Sequence, residues 1–141
     1  MEELLMKKLF TNTVLIKENL SKVQQVLMDG PQLMRWNPAI SSLKNGTNNS
    51  FIIHRNDPAI NSDEVLTIES KDQQVSYRSI NGRLEYQLIF NLVEKVGSTL
   101  VTEDFYLLKD ETLAIVFLQP IAKQAFNRNL NGLKRIIEIN K

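Results

Sequence analysis

Cysteine is absent from the 141 residues, so disulfides and thiolate metal sites are excluded. That usage fits a reducing compartment, and a cytoplasmic location is expected. Histidine occurs once, at His54, which removes multi-histidine metal centres. A lone histidine far from any marked nucleophile also gives no Ser-His-Asp set. Glycine numbers five and is scattered, so no glycine-rich loop is present to cradle phosphate. No charge sign dominates: 17 Lys and Arg face 16 Asp and Glu, a net of +1. A basic field for holding nucleic acid by phosphate neutralisation is therefore missing, and no nucleic-acid partner is expected. No stretch approaches the ~20 apolar residues of a membrane span, so stable membrane insertion is not expected either. The opening Met1-Glu2-Glu3 is acidic and precedes no apolar run of signal-peptide length. No cofactor motif occurs. The length suits one domain, taken as residues 1–141.

The most informative stretch runs from Val23 to Pro38. Val23, Val26 and Leu27 fall at helical spacing, and Ser21 with Gln24 fits a capping box. Gly30 suits the end of that helix and Pro31 the first turn of a second. Leu33, Met34 and Trp36 give the second helix its apolar side, and Pro38 sends the chain into an extended path. Before this pair, residues 6–16 are rich in β-branched and aromatic types and read as a strand.

From residue 39 to 109 only strands are predicted: 39–44, 50–55, 63–70, 73–80, 83–93 and 99–108. Asn45-Gly46 and Asn81-Gly82 are two-residue hairpin signals. The clearest strand is 83–93, where Leu84, Tyr86, Leu88, Phe90 and Leu92 alternate with polar residues, the pattern of a sheet with one wet face. After Lys109-Asp110-Glu111 the period changes. Ile115, Leu118, Ala122, Phe126, Leu130, Leu133 and Ile137 step by three and four, one stripe along a helix of about 28 residues. Asp110 and Glu111 at its start, and Lys134, Arg135 and Lys141 near its end, suit the helix dipole. Pro120 should kink this helix or mark its true start. Gly132 inside it costs about 1 kcal/mol relative to alanine. An exposed, tolerated glycine is the simpler explanation, and close approach to a neighbour the other.

This order predicts an α+β helix-grip fold: a curved antiparallel sheet of six to seven strands around one long C-terminal helix, with two short helices after the first strand. The chain resembles the START-like, birch-pollen-allergen-like (SRPBCC) superfamily, and within it the polyketide cyclase/dehydrase-like group. Three pieces carry the resemblance: Asp29 with Trp36-Asn37-Pro38, Gly97-Ser98-Thr99-Leu100-Val101, and Leu130-Asn131-Gly132-Leu133-Lys134 through Glu138. Their order spans nearly the whole chain. The resemblance implies a deep apolar cavity between sheet and helix, but no particular reaction.

Candidate cavity residues follow from facing. Leu33, Met34 and Trp36 would close one end, although an anchor fastening the short helices to the sheet is the better explanation of Trp36. Phe51 and Ile53 share one face of their strand with Arg55, which would either hold an anionic head at the pocket mouth or project to solvent. Tyr77, Tyr86 and Leu88 would line the sheet side, and each tyrosine hydroxyl needs a partner when buried. Ala122 and Phe126 would line the helix side. Asp29 is better explained as a cap than as a catalytic carboxylate, and His54 as a surface residue.

On the family pattern, Thr99, Val101, Glu103 and Phe105 point inward. A carboxyl at Glu103 would then be desolvated, with a raised pKa, and able to act as a general acid or base. Leu100, Thr102, Asp104, Tyr106 and Leu108 form an equally apolar face, so the facing stays open here. The first functional expectation is binding of a small hydrophobic ligand, a lipid, isoprenoid or aromatic polyketide-like molecule, by a monomer or homodimer. The alternatives are a cyclase/dehydratase-type enzyme using Glu103 and a tyrosine, or a protein-interaction module with a collapsed cavity.

Overall fold

A computed structural model of the chain describes residues 7–108 and 113–139. Seven strands form one antiparallel sheet: β1 (Lys7–Ile16), β2 (Ile40–Asn45), β3 (Ser50–Arg55), β4 (Asp63–Lys71), β5 (Gln74–Ile80), β6 (Tyr86–Lys95) and β7 (Ser98–Leu107). Their order across the sheet is β1-β7-β6-β5-β4-β3-β2, a meander from β2 to β7 with β1 added beside β7. Helix α1 (Leu20–Met28), a single 3₁₀ turn (Gly30–Gln32) and α2 (Leu33–Trp36) lie between β1 and β2, and α3 (Leu113–Ile139) ends the fold. This is the helix-grip architecture expected.

The strands bury alternate residues, as period 2 requires. In β6 these are Tyr86, Leu88, Phe90 and Leu92. In β7 they are Thr99, Val101, Glu103, Phe105 and Leu107, which settles the facing left open by hydrophobicity. The long helix closes over this face with Leu130, Leu133 and Ile137. Gln119 Nε2, Lys123 Nζ and Lys134 Nζ donate to the backbone carbonyls of Leu9, Thr11 and Leu15, tying α3 to the outer margin of β1.

Several local expectations are corrected. Asn19, not Ser21, caps α1: its Oδ1 accepts from the Lys22 N–H at 2.9 Å, because the helix begins at Leu20. Gln24 instead reaches across to Ser70 Oγ and the Asp72 carbonyl. The Asp29 side chain makes no backbone cap and accepts from Gln32 Nε2. The Asn45-Gly46 signal opens a four-residue connection, 46–49, because Asn48 and Asn49 both take positive φ. Asn81-Gly82 opens a longer connection, 81–85, and β6 starts at Tyr86 rather than Arg83. Asn61 explains that delay, since its amide both accepts from the Leu84 N–H and donates to the Leu84 carbonyl. The tight two-residue hairpin is Val96-Gly97, with Gly97 at φ +72°. Pro120 lies inside α3 and does not start it, and no basic residue occupies the helix's last described turn. Lys134 bonds Glu138 one turn on. Asp110, Glu111, Lys141 and the side chains of Ile115 and Leu118 lie outside the described residues.

Gly132 is buried, against the simpler expectation. A Cβ there would stand 3.2 Å from the Trp36 carbonyl oxygen and 3.7 Å from its Cα, so α2 backs directly onto α3. Backbone cannot swing aside as a side chain can. Gly132→Val is expected to lower the unfolding free energy by about 1–3 kcal/mol in urea titration. Unchanged stability would mean that the helices separate freely.

Candidate functional site

A polar groove of about 470 Å³ runs between the β1 edge and α3, and two apolar-walled spaces lie between the inward face of the sheet and α3. The larger of these two is an open pocket of about 260 Å³ at the end where β3, β4 and β6 meet the helix. The smaller, about 10 Å³, sits deeper. Arg55, Tyr86 and Phe126 border both.

The pocket's apolar wall is aromatic. Phe105 stacks on Tyr86 with ring centroids 5.0 Å apart, and Phe126 meets Phe105 edge-on at 5.3 Å. Such contacts fix ring positions beyond simple burial. Ala122, Ala125 and Ile121 present α3 to the pocket, and Leu84, Pro58 and Ile60 come from the loops opposite.

A polar network forms the floor. Strand register brings it together: Ile53 pairs with Glu64, Leu66 with Ser79, and Ser79 with Tyr86. Inward-facing residues on β4, β5 and β6 therefore meet at one end of the sheet. Arg55 Nε donates to Glu64 Oε1 at 2.5 Å, and Arg55 Nη2 to the Tyr86 hydroxyl at 3.3 Å. The Tyr86 hydroxyl donates to Glu64 Oε2 at 2.8 Å, and Ser79 Oγ to the same oxygen at 2.5 Å. The Glu64 side chain is fully buried, whereas that of Arg55 keeps 17% exposure and reaches the pocket. Burial alone would pull the guanidinium pKa down. The Tyr86 and Glu64 oxygens more than offset this and raise it, so Arg55 stays charged. Burial first, and the Glu64 carboxylate second, push the Tyr86 phenol up, keeping its proton on for donation.

The candidate residues therefore divide. Arg55, Tyr86, Phe105, Ala122 and Phe126 line the open pocket. Leu33, Trp36, Ile53, Tyr77, Leu88 and Glu103 surround the small space. Met34 and Phe51 border neither. Met34 is 42% exposed, because Leu33 and Trp36, three apart, take the inward side of a four-residue helix. Phe51 is half-buried and its ring lies under Gly30. Glu64 was not anticipated. Its signal is Glu64-x-Leu66-x-Ile68, a carboxylate on the apolar side of an alternating strand.

Glu103 is 1% exposed. Burial pushes its carboxyl up to about 8; the Asn12 hydrogen bond opposes the rise, Asp104 adds to it and Lys123 counters it. Asn12 Nδ2 donates to Oε1 at 3.4 Å. Neither inward tyrosine is hydrogen-bonded to Glu103: Tyr77 donates to the Leu27 carbonyl at 2.5 Å and Tyr86 to Glu64. His54 pairs with Asp63 on the surface at 2.7 Å. Among the described residues no cluster of three or more His, Asp or Glu is placed to hold a metal ion, and no helix is long and apolar enough to cross a membrane.

The fold is that of the START-like, birch-pollen-allergen-like superfamily. A START superfamily protein from Mycobacterium smegmatis superposes with a TM-score of 0.75 at 13% identity, over 97% of this chain and 99% of that one. A conserved protein from Geobacillus kaustophilus gives 0.73 at 13%, over 91% and 93%. The protein Ara h 8.0201 gives 0.69 at 13%, over 94% and 97%. No family model and no curated protein matches the chain.

Proposed function

We propose that this chain binds a small, chiefly apolar ligand carrying one hydrogen-bond acceptor, seated in the open pocket. The observation that carries the reading is the apolar pocket built over a buried Arg55–Glu64–Tyr86 network. Apolar walls contribute roughly 25 cal/mol per Å² removed from water. The few convergent polar groups fix orientation. Glu64 already neutralises Arg55, so the floor offers guanidinium N–H groups without a net charge. That arrangement suits a carbonyl, ester or hydroxyl oxygen better than a second anion. The 260 Å³ volume lies just under the usual small-molecule range of about 300–1,000 Å³, so a compact ligand fits better than a full lipid.

Native mass spectrometry on gently purified protein tests this. A non-covalent adduct that vanishes on denaturation is expected, and Ala122→Trp, which fills the pocket from α3, is expected to fold normally without it. No adduct, together with no saturable binding of an apolar fluorophore by the unaltered protein, would overturn the proposal.

A further inference from the structure

Two buried polar atoms lack partners among the described residues: Trp36 Nε1 and Glu103 Oε2. Both residues border the same 10 Å³ space, on different elements, α2 and β7. A buried donor or acceptor without a partner is costly, so two at one place need an explanation. A space of this size holds about one oxygen-sized atom.

The hydrogen-bond directions say what that atom must be. The indole N–H can only donate. Asn12 Nδ2 donates to Glu103 Oε1, which marks that oxygen as the acceptor of the carboxyl and leaves Oε2 for the proton. With its pKa near 8, the carboxyl holds that proton at neutral pH and below. Two donors then flank one small space. Their complement is an oxygen with two free lone pairs, which a carbonyl oxygen supplies.

We infer that this space is the inner subsite of the pocket, where Trp36 and Glu103 together take the carbonyl oxygen of a ketone- or ester-bearing ligand whose apolar body fills the outer pocket. The inference rests on the proposed function. Phe126 is the partition, since it is half-buried on α3 and borders both spaces. Displacing its ring joins them. Arg55, which also borders both spaces, is already neutralised by Glu64, so a carboxylate passing inward would meet no unpaired cation.

Trp36 is the chain's one tryptophan, so the nitrogen-labelled protein has a single indole N–H resonance. The probes are methyl hexyl ketone and its analogue with a methylidene group in place of the carbonyl oxygen. The ketone is expected to move the indole proton downfield at saturation, whereas the analogue leaves it in place. Both should shift the Ala122 and Phe126 backbone amides. Trp36→Phe, and separately Glu103→Leu, are expected to reduce the ketone-over-analogue affinity ratio about tenfold, the equivalent of one hydrogen bond. If the pocket amides respond to both probes while the indole signal stays still, the inner subsite is overturned and the outer pocket stands. If no amide responds to either probe, the proposed function falls and this inference falls with it.

Discussion

Arg55→Met is expected to lower the unfolding free energy by about 3–5 kcal/mol, a large share of the 5–15 kcal/mol typical of a domain. The reason is Glu64. Its side chain is fully buried, and Arg55 is its only basic partner in the described structure. Ser79 and Tyr86 still donate to it, but neither neutralises it. Removing Arg55 leaves a carboxylate inside an apolar end of the sheet. The double variant Arg55→Met/Glu64→Leu removes both charges and is expected to recover most of the loss. Urea titration of the two singles and the double closes a thermodynamic cycle. A double variant no more stable than Arg55→Met would show that the guanidinium acts here through packing of its stem, not through its charge.

The second large effect is a dependence on pH. Glu103 holds its proton up to about 8 when folded, against an ordinary value near 4.5. Between those limits the folded chain binds a proton that the unfolded chain releases. Stability therefore falls as pH rises through this window, by a few kcal/mol in all. Below it both states are protonated and the loss is absent. Above it both are ionised and the loss is complete. Glu103→Gln keeps the shape without the charge, so its stability should stay flat across the window and exceed that of the unaltered protein at the alkaline end. Melting temperatures at about pH 5 and about pH 8.5 decide it. Parallel behaviour of the two proteins would mean that Glu103 reaches solvent.

The alternation Leu84 to Leu92 and the stripe ending Leu130, Leu133 and Ile137 made the grip of helix on sheet legible in the sequence. Both are long, strongly periodic segments whose period survives any detail of packing. The pocket was less legible. Its residues came out mixed with those of the filled interior, because facing inward does not say whether a space remains inside. Ile53 and Leu88 face inward yet border only the 10 Å³ inner space. Arg55 was found from facing, but its partner was not, since Glu64 looks like ordinary strand polarity until read against Leu66 and Ile68. Asn81-Gly82 misled on loop length because a distant contact set it, Asn61 holding Leu84 out of the strand, and Asn45-Gly46 misled because Asn48 and Asn49 both take positive φ. Met34 shows the limit of counting apolar residues in a helix of one turn, where a single step in sequence turns a side chain from core to water.

The polar side chains that α3 extends to the margin of β1 also bear on behaviour at high concentration. An open sheet has two free edges, and an unsatisfied edge invites a strand from another molecule. At β1 the carbonyls of Leu9, Thr11 and Leu15 are already occupied by Gln119, Lys123 and Lys134. An incoming strand would have to displace one amide and two ammonium groups to use those three carbonyls. The other edge, β2, is only six residues long, and its pairing with β3 breaks register between Ile40 and Ser42. The same helix that covers the cavity thus also occupies part of the edge at which strand-by-strand self-assembly would start.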